Sequence, residues 1–151
     1  MQPTERRPDV DIEEEIEMLT RSFAPLKASR GYFRAKSVNG NIIITGNVRT
    51  PQARRVLMDN IPHIRGVVSC DGSALYDDEM IRFAVGQILA PGLSASVHYG
   101  SVVIMGSLPD GTSIETIAQA VMAIPGVRRV ATDFGVPVVI MPAPGNIEPA
   151  T

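Results

Sequence analysis

Residues 37–48 read SVNGNIIITGNV, and residues 97–108 read VHYGSVVIMGSL. The two stretches stand 60 residues apart, with Gly40 over Gly100, Ile42 over Val102, Ile44 over Ile104, Gly46 over Gly106 and Val48 over Leu108. Glycines recurring at one fixed period mark duplicated structural units. Asn39-Gly40 is a strong two-residue hairpin signal, because both positions tolerate positive φ, and Tyr99-Gly100 fills the same slot. The β-branched run after each turn predicts a strand covered on both faces or lying beside a partner. Gly40, Gly46, Gly100 and Gly106, with Asn39, are therefore read as turn and strand-end residues. They do not form a phosphate loop, since they span a strand and no G-x-x-x-x-G-K-[ST] occurs.

The repeat extends outward from the hairpins. Residues 61–67, IPHIRGV, align with residues 124–130, IPGVRRV, at an offset of 63, which pairs Pro62 with Pro125 and Arg65 with Arg128. That offset places three extra residues in the second copy near Pro109–Thr112. Upstream, Ile16, Leu19 and Phe23 align with Ile81, Ala84 and Ile88 at an offset of 65, so the first copy has the longer link after its first helix. Each copy then reads helix, strand, strand, helix, strand. The predicted fold is α+β: two tandem αββαβ units, each a small three-stranded sheet with helices packed on one face. The expected division is an N-terminal tail at 1–9, unit one at 10–75, unit two at 76–141 and a disordered Pro-rich tail at 142–151.

Local signals set the helix ends. Asp11 with Glu14 makes a capping arrangement for a first helix that Pro25 stops. Asp77 is the expected N-cap of the next unit's first helix. Thr50 with Pro51 opens one second helix, and Thr112–Glu115 forms a capping box for the other. Pro137 places any strand within 136–141 at a sheet edge.

Composition narrows the function. The chain has 151 residues, is 44% apolar and carries a net charge of −2, which neither demands nucleic acid nor indicates disorder. No apolar run reaches the length of a membrane span, and the start MQPTERRPDV has no apolar signal region. A complete chain of this kind is expected in the cytoplasm. The single cysteine, Cys70, excludes an internal disulfide and, without a base partner, reads as a structural thiol. His63 and His98 occupy unmatched positions without carboxylate or thiolate partners at ligand spacing, so no metal or cofactor is expected. Glu13, Glu14 and Glu15 read as a solvated helix start, since no D-x-D-x-D-G loop occurs. Residues 11–76 hold nine Lys/Arg against seven Asp/Glu, whereas residues 77–141 hold three against six. The copies thus share a scaffold and differ in charge.

The order of elements, with the pieces VNGNIIITGNV at 38–48, HYGSVVIMGSL at 98–108 and the two helix ends at 61–67 and 124–130, resembles the BON domain, in two tandem copies over about 130 residues. His63 departs from the resemblance, standing where the turn of unit one should carry Gly, while Gly126 keeps it in unit two. The resemblance implies a module that binds rather than catalyses. Its relatives are mostly bacterial envelope proteins tied to phospholipid contact, osmotic stress and ring- or pore-forming assemblies. The missing signal region sets this chain apart from that setting.

The expected function is non-enzymatic protein–protein binding or self-association through sheet edges and helix faces. No nucleophile–base set or carboxylate pair recurs in both copies. The alternative is a peripheral module for anionic phospholipid or a small ligand such as an ion. Arg54, Arg55, Arg128 and Arg129, in or just after the second helices, would then be the ligand-binding residues. Nucleic acid is disfavoured as a partner, because aromatics are 5% of the chain and Trp is absent, so stacking platforms are scarce.

Overall fold

The structure is a computed structural model and describes residues 6–134 together with the strand at 139–142. The chain divides into two compact units, Met1–Tyr76 and Asp77–Thr151. The tail expected beyond Pro142 lies outside the described residues, as do Pro137 and the first five residues.

Unit one runs through α1 (Asp9–Ser22), a short α2 (Ala24–Ala28), β1 (Phe33–Val38), β2 (Asn41–Val48), α3 (Pro51–Asn60) with a 3₁₀ turn at Ile61–His63, and β3 (Ser69–Asp77). Ile12 and Ile16 of α1, Leu26 of α2, Ile42 and Ile44 of β2, and Leu57 and Ile61 beyond them form its buried core. The Asp11 capping arrangement is corrected here. α1 begins at Asp9 behind Pro8, whose carbonyl accepts the amides of Asp11 and Ile12, and no side chain caps it. Asp9 and Glu13 instead accept from the β1–β2 hairpin, Glu13 taking the Ser37 amide and Asp9 the Asn39 amide, each at 2.9 Å. Thr50 does cap α3, accepting the Ala53 amide at 3.1 Å. The start of the unit also reaches back into the expected tail: Arg7 donates to Glu15 and to the Arg65 carbonyl, each at 3.0 Å.

Unit two runs through α4 (Asp78–Gly86), β4 (Leu93–His98), β5 (Ser101–Gly106), α5 (Ile114–Met122), β6 (Arg129–Asp133) and β7 (Val139–Pro142). Asp77 caps α4 by accepting the Met80 amide at 2.9 Å. The cap of α5 is Ser113, one residue past the expected Thr112, and it accepts the Thr116 amide at 3.3 Å. Ile81, Val85, Val102, Ile104, Ile117, Val121 and Val130 are buried.

The sheets are ordered β1-β2-β3 and β4-β5-β6-β7. Unit two therefore adds a fourth strand to the three expected, with β7 antiparallel to β6 and β5–β6 parallel. Both hairpins close on two-residue turns, with Val38 opposite Asn41 and His98 opposite Ser101. Asn39 and Gly40 have φ of 54° and 81°, and Tyr99 and Gly100 have 49° and 79°. Positive φ at both central residues is what a type I′ turn requires, and its twist matches that of the flanking strands. At the far end of each hairpin, Gly46 and Gly106 share a φ of 115°. A Cβ on Gly46 would strike the Tyr32 carbonyl, and one on Gly106 the Gly92 carbonyl.

Of the two readings of the β-branched run, covered on both faces or lying beside a partner, β2 meets the second, since it lies between β1 and β3. Ile42 and Ile44 are buried, whereas Ile43 is half exposed and Thr45 exposed. On β1, likewise, Arg34, Lys36 and Val38 are exposed. Strand alternation, not the composition of the run, decides burial, because successive side chains point to opposite faces.

The repeat register is also corrected. Gly66 and Gly126 have φ of 98° and 95°. Val67 donates to the Ile64 carbonyl at 3.1 Å and Val127 to the Ile124 carbonyl at 3.2 Å. Val68 then donates to Gly40 at 2.7 Å and Arg128 to Gly100 at 2.8 Å. The equivalent segment of unit one is therefore Ile64–Val68, at the hairpin offset of 60, and Gly66 rather than His63 stands at the turn. Arg65 and Arg128 are not equivalent. The matched Pro62 and Pro125 misled because α3 continues into a 3₁₀ turn, whereas α5 starts later after a longer loop.

Candidate interaction surface

In each unit one carboxylate fastens the first helix to the hairpin turn. The Asp9 carboxylate accepts the Asn39 amide at 2.9 Å, the Gly40 amide at 3.0 Å and the Ser37 hydroxyl at 2.7 Å. The Ser37 hydroxyl, followed by the Gly40 and Asn39 amides, holds this carboxyl below its ordinary pKa. In unit two Asp78, only 1% exposed, accepts the Tyr99 amide at 2.8 Å and the Gly100 amide at 3.1 Å. A type I′ turn has two inner amides with no strand partner, and a carboxylate at a helix start satisfies both. The clamp sets the true helix register: Asp9, Ile12 and Ile16 correspond to Asp78, Ile81 and Val85 at an offset of 69, not 65. The signal available in sequence was an Asp followed at the third and seventh positions by buried aliphatics, DVDIEEEI and DEMIRFAV.

The four arginines differ in their surroundings. The Arg54 guanidinium donates to the carbonyls of Leu75 at 3.0 Å and Gly72 at 2.9 Å, which ties α3 to β3. Gly72 is buried under Met58, where a Cβ would meet the Met58 sulfur. Arg55, the next residue, is exposed. Arg128 is exposed and Arg129 half-buried at the start of β6. Of the neighbouring pair Arg54 and Arg55, it is Arg55 that faces solvent, because Arg54 serves the fold.

Among the described residues the remaining chemistry is sparse. No group of three His, Cys, Asp or Glu gathers as a metal site. Burial, with the neighbouring Asp71 charge, pushes the Cys70 thiol pKa up, away from nucleophilic thiolate character. No helix among the described residues is long and apolar enough to cross a membrane.

What the surface does offer is apolar area. Phe83 on α4 is 73% exposed, and Met80, one turn before it, is half exposed. Val10 and Met18 project from α1, and Val68 from the segment before β3. Two shallow grooves accompany them. One, about 370 Å³, lies between α1 and the end of α3, lined by Met18, Leu19 and Ile64 with Asn60 and His63. The other, about 360 Å³, runs beside the outer edge of β4, between that strand and the end of α4.

Comparison with known proteins agrees with this architecture. No curated protein sequence matches the chain. Among solved structures, the C-terminal domain of CdsD, the structural protein of the type III secretion system of Chlamydia trachomatis, superposes with a TM-score of 0.64 at 19% identity over 85% of this chain. A second CdsD structure from the same secretion system gives a TM-score of 0.64 at 18% identity over 83% of this chain. This chain spans 66% and 62% of those two, so it matches just under two thirds of their length. At that identity the likeness is one of fold. The family pattern of the BON domain matches residues 77–137, within the second unit.

Proposed function

We propose that the protein is a non-enzymatic assembly module that associates with further copies of itself. The observation that carries this is the apolar face of α4. Phe83 and Met80 lie three residues apart on one helix face and stand in solvent, while Ile81 and Val85 bury the opposite face. A large aromatic left 73% exposed has the character of an interface anchor rather than of a solvated surface. The fold match to a secretion-system structural protein supports the same reading, as does the match to the BON domain within unit two.

Light scattering behind size-exclusion chromatography tests it. Association that rises with concentration and falls in Phe83→Ser is expected. A monomer throughout, or an oligomer indifferent to Phe83→Ser, would sink the proposal. The alternative, a surface for anionic phospholipid, rests on the exposed Arg55 and Arg128. Co-sedimentation with phosphatidylglycerol vesicles separates the two readings, since only the lipid reading requires salt-sensitive pelleting.

A further inference from the structure

We propose that two copies of this chain pair about a two-fold axis through antiparallel α4 helices, Met80 of each meeting Phe83 of the other and Glu79 of each meeting Arg82 of the other. This pairing rests on the self-association proposed above and gives it a surface and a geometry. α4 turns one face to its own unit: Ile81 and Val85 are buried, and the helix lies along β4. Glu79, Met80, Arg82 and Phe83, by contrast, are all exposed. Met80 and Phe83 sit three residues apart, so they are neighbours on the helix surface. Glu79 lies one turn before Phe83, and Arg82 flanks it with a long side chain that reaches across the rim. Neither Glu79 nor Arg82 makes an ion pair among the described residues.

The spacing makes this face complementary to itself. In an antiparallel helix pair related by a two-fold, residues equally far on either side of the axis face each other. An axis level with Ile81 falls at the middle of both pairs, Met80 with Phe83 and Glu79 with Arg82. Each partner then stands about one residue rise, or about 1.5 Å, from level, well within side-chain reach. The Met80 thioether against the Phe83 ring is a favourable sulfur–aromatic contact. The flanking charges set the direction. Parallel helices would face Glu79 with Glu79 and Arg82 with Arg82, whereas antiparallel ones face opposite signs. Unit one shows that the fold does not need these side chains. By the clamp register, Asp11, Glu13 and Glu14 of α1 stand where α4 has Met80, Arg82 and Phe83. Two α1 helices brought together in this way would set carboxylates against carboxylates. Of the two equivalent helices, α4 alone offers a self-complementary face. An isologous contact occupies that face in both copies, so assembly through it closes at two.

The test is charge reversal on the whole protein, read by sedimentation velocity and native mass spectrometry. The parent should form dimers and nothing larger. Arg82→Glu and Glu79→Arg each place like charges opposite one another at both ends of the pair, and each should raise the dimer Kd by roughly tenfold. An equimolar mixture of the two variants brings opposite charges together at both ends, so it should form a heterodimer of parental affinity. The chain carrying both changes should likewise recover the homodimer. Both residues are exposed, so thermal melts of the variants should match the parent. In the unmodified protein, amide resonances of residues 79–86 should shift with concentration while those of α1 stay fixed. Species larger than a dimer, or a mixture that does not recover, would overturn the pairing. Association that Phe83→Ser removes but charge reversal leaves untouched would also overturn it, with self-association through Phe83 left standing. A parent that stays monomeric removes both.

Discussion

The Asp78 carboxylate and the Tyr99 amide meet at 2.8 Å in a site from which solvent is almost excluded. Tyr99 holds a φ of 49°, a conformation that bulky residues avoid. The contact therefore secures a turn that its own sequence disfavours; Asp9 makes the equivalent contacts to Asn39-Gly40 in unit one, a turn that its sequence already favours. Removing Asp78 leaves the Tyr99 and Gly100 amides buried without their acceptor. Asp78→Ala should lower the unfolding free energy by roughly 2–4 kcal/mol. Urea denaturation checks this, and a change under about 0.5 kcal/mol would show that water replaces the carboxylate.

The unit-one clamp should be visible as a pH effect. The Asp9 pKa is depressed below the ordinary 3.8, so its contribution to stability is complete above that value and is lost as pH falls through the folded pKa. Amide resonances of Asn39 and Gly40 should titrate together at acid pH, with a midpoint below 3.8. A midpoint at or above that value, or two amides moving independently, would contradict the clamp.

Glycines in this chain should separate sharply on substitution. Gly46→Ala and Gly106→Ala force a side chain onto a carbonyl oxygen at positive φ, and each should cost about 3 kcal/mol or more. Gly86→Ala meets open space in a helix and should be neutral or stabilising by about 0.5–1 kcal/mol. Thermal melts of the three variants give the comparison, and equal effects would refute it.

Arg54 and Arg55 are neighbours with different work. Arg54→Ala should destabilise by about 1–3 kcal/mol, because two carbonyls of β3 lose a charged donor. Arg55→Ala should remain within about 0.5 kcal/mol of the parent. Chemical denaturation distinguishes them. Should vesicle binding be found, only the Arg55 change should reduce it without altering stability.

Phe83→Ser should leave stability within about 0.5 kcal/mol of the parent, since the ring stands in solvent, while reducing association. A large loss of stability would show that the ring is packed in solution.

By itself the sequence determined the duplication, the α+β class and the hairpins. Those features are local: Asn39-Gly40 fixes a turn within four residues, and Thr50-Pro51 fixes a helix start within three. It misplaced what depends on distant contacts. His63 took the turn position that belongs to Gly66, because Pro62 and Pro125 match by identity while hydrogen bonds to Gly40 and Gly100 set the real register. The acceptor roles of Asp9 and Asp78 lie beyond a local reading, since they join residues 31 and 22 positions apart. Four arginines read alike until β3 offered two carbonyls to Arg54 alone. Backbone preference is written into short segments, so it can be read from them. Which carboxylate satisfies a turn, and which cation is left to solvent, is decided only when folding brings unsatisfied polar groups within hydrogen-bonding distance.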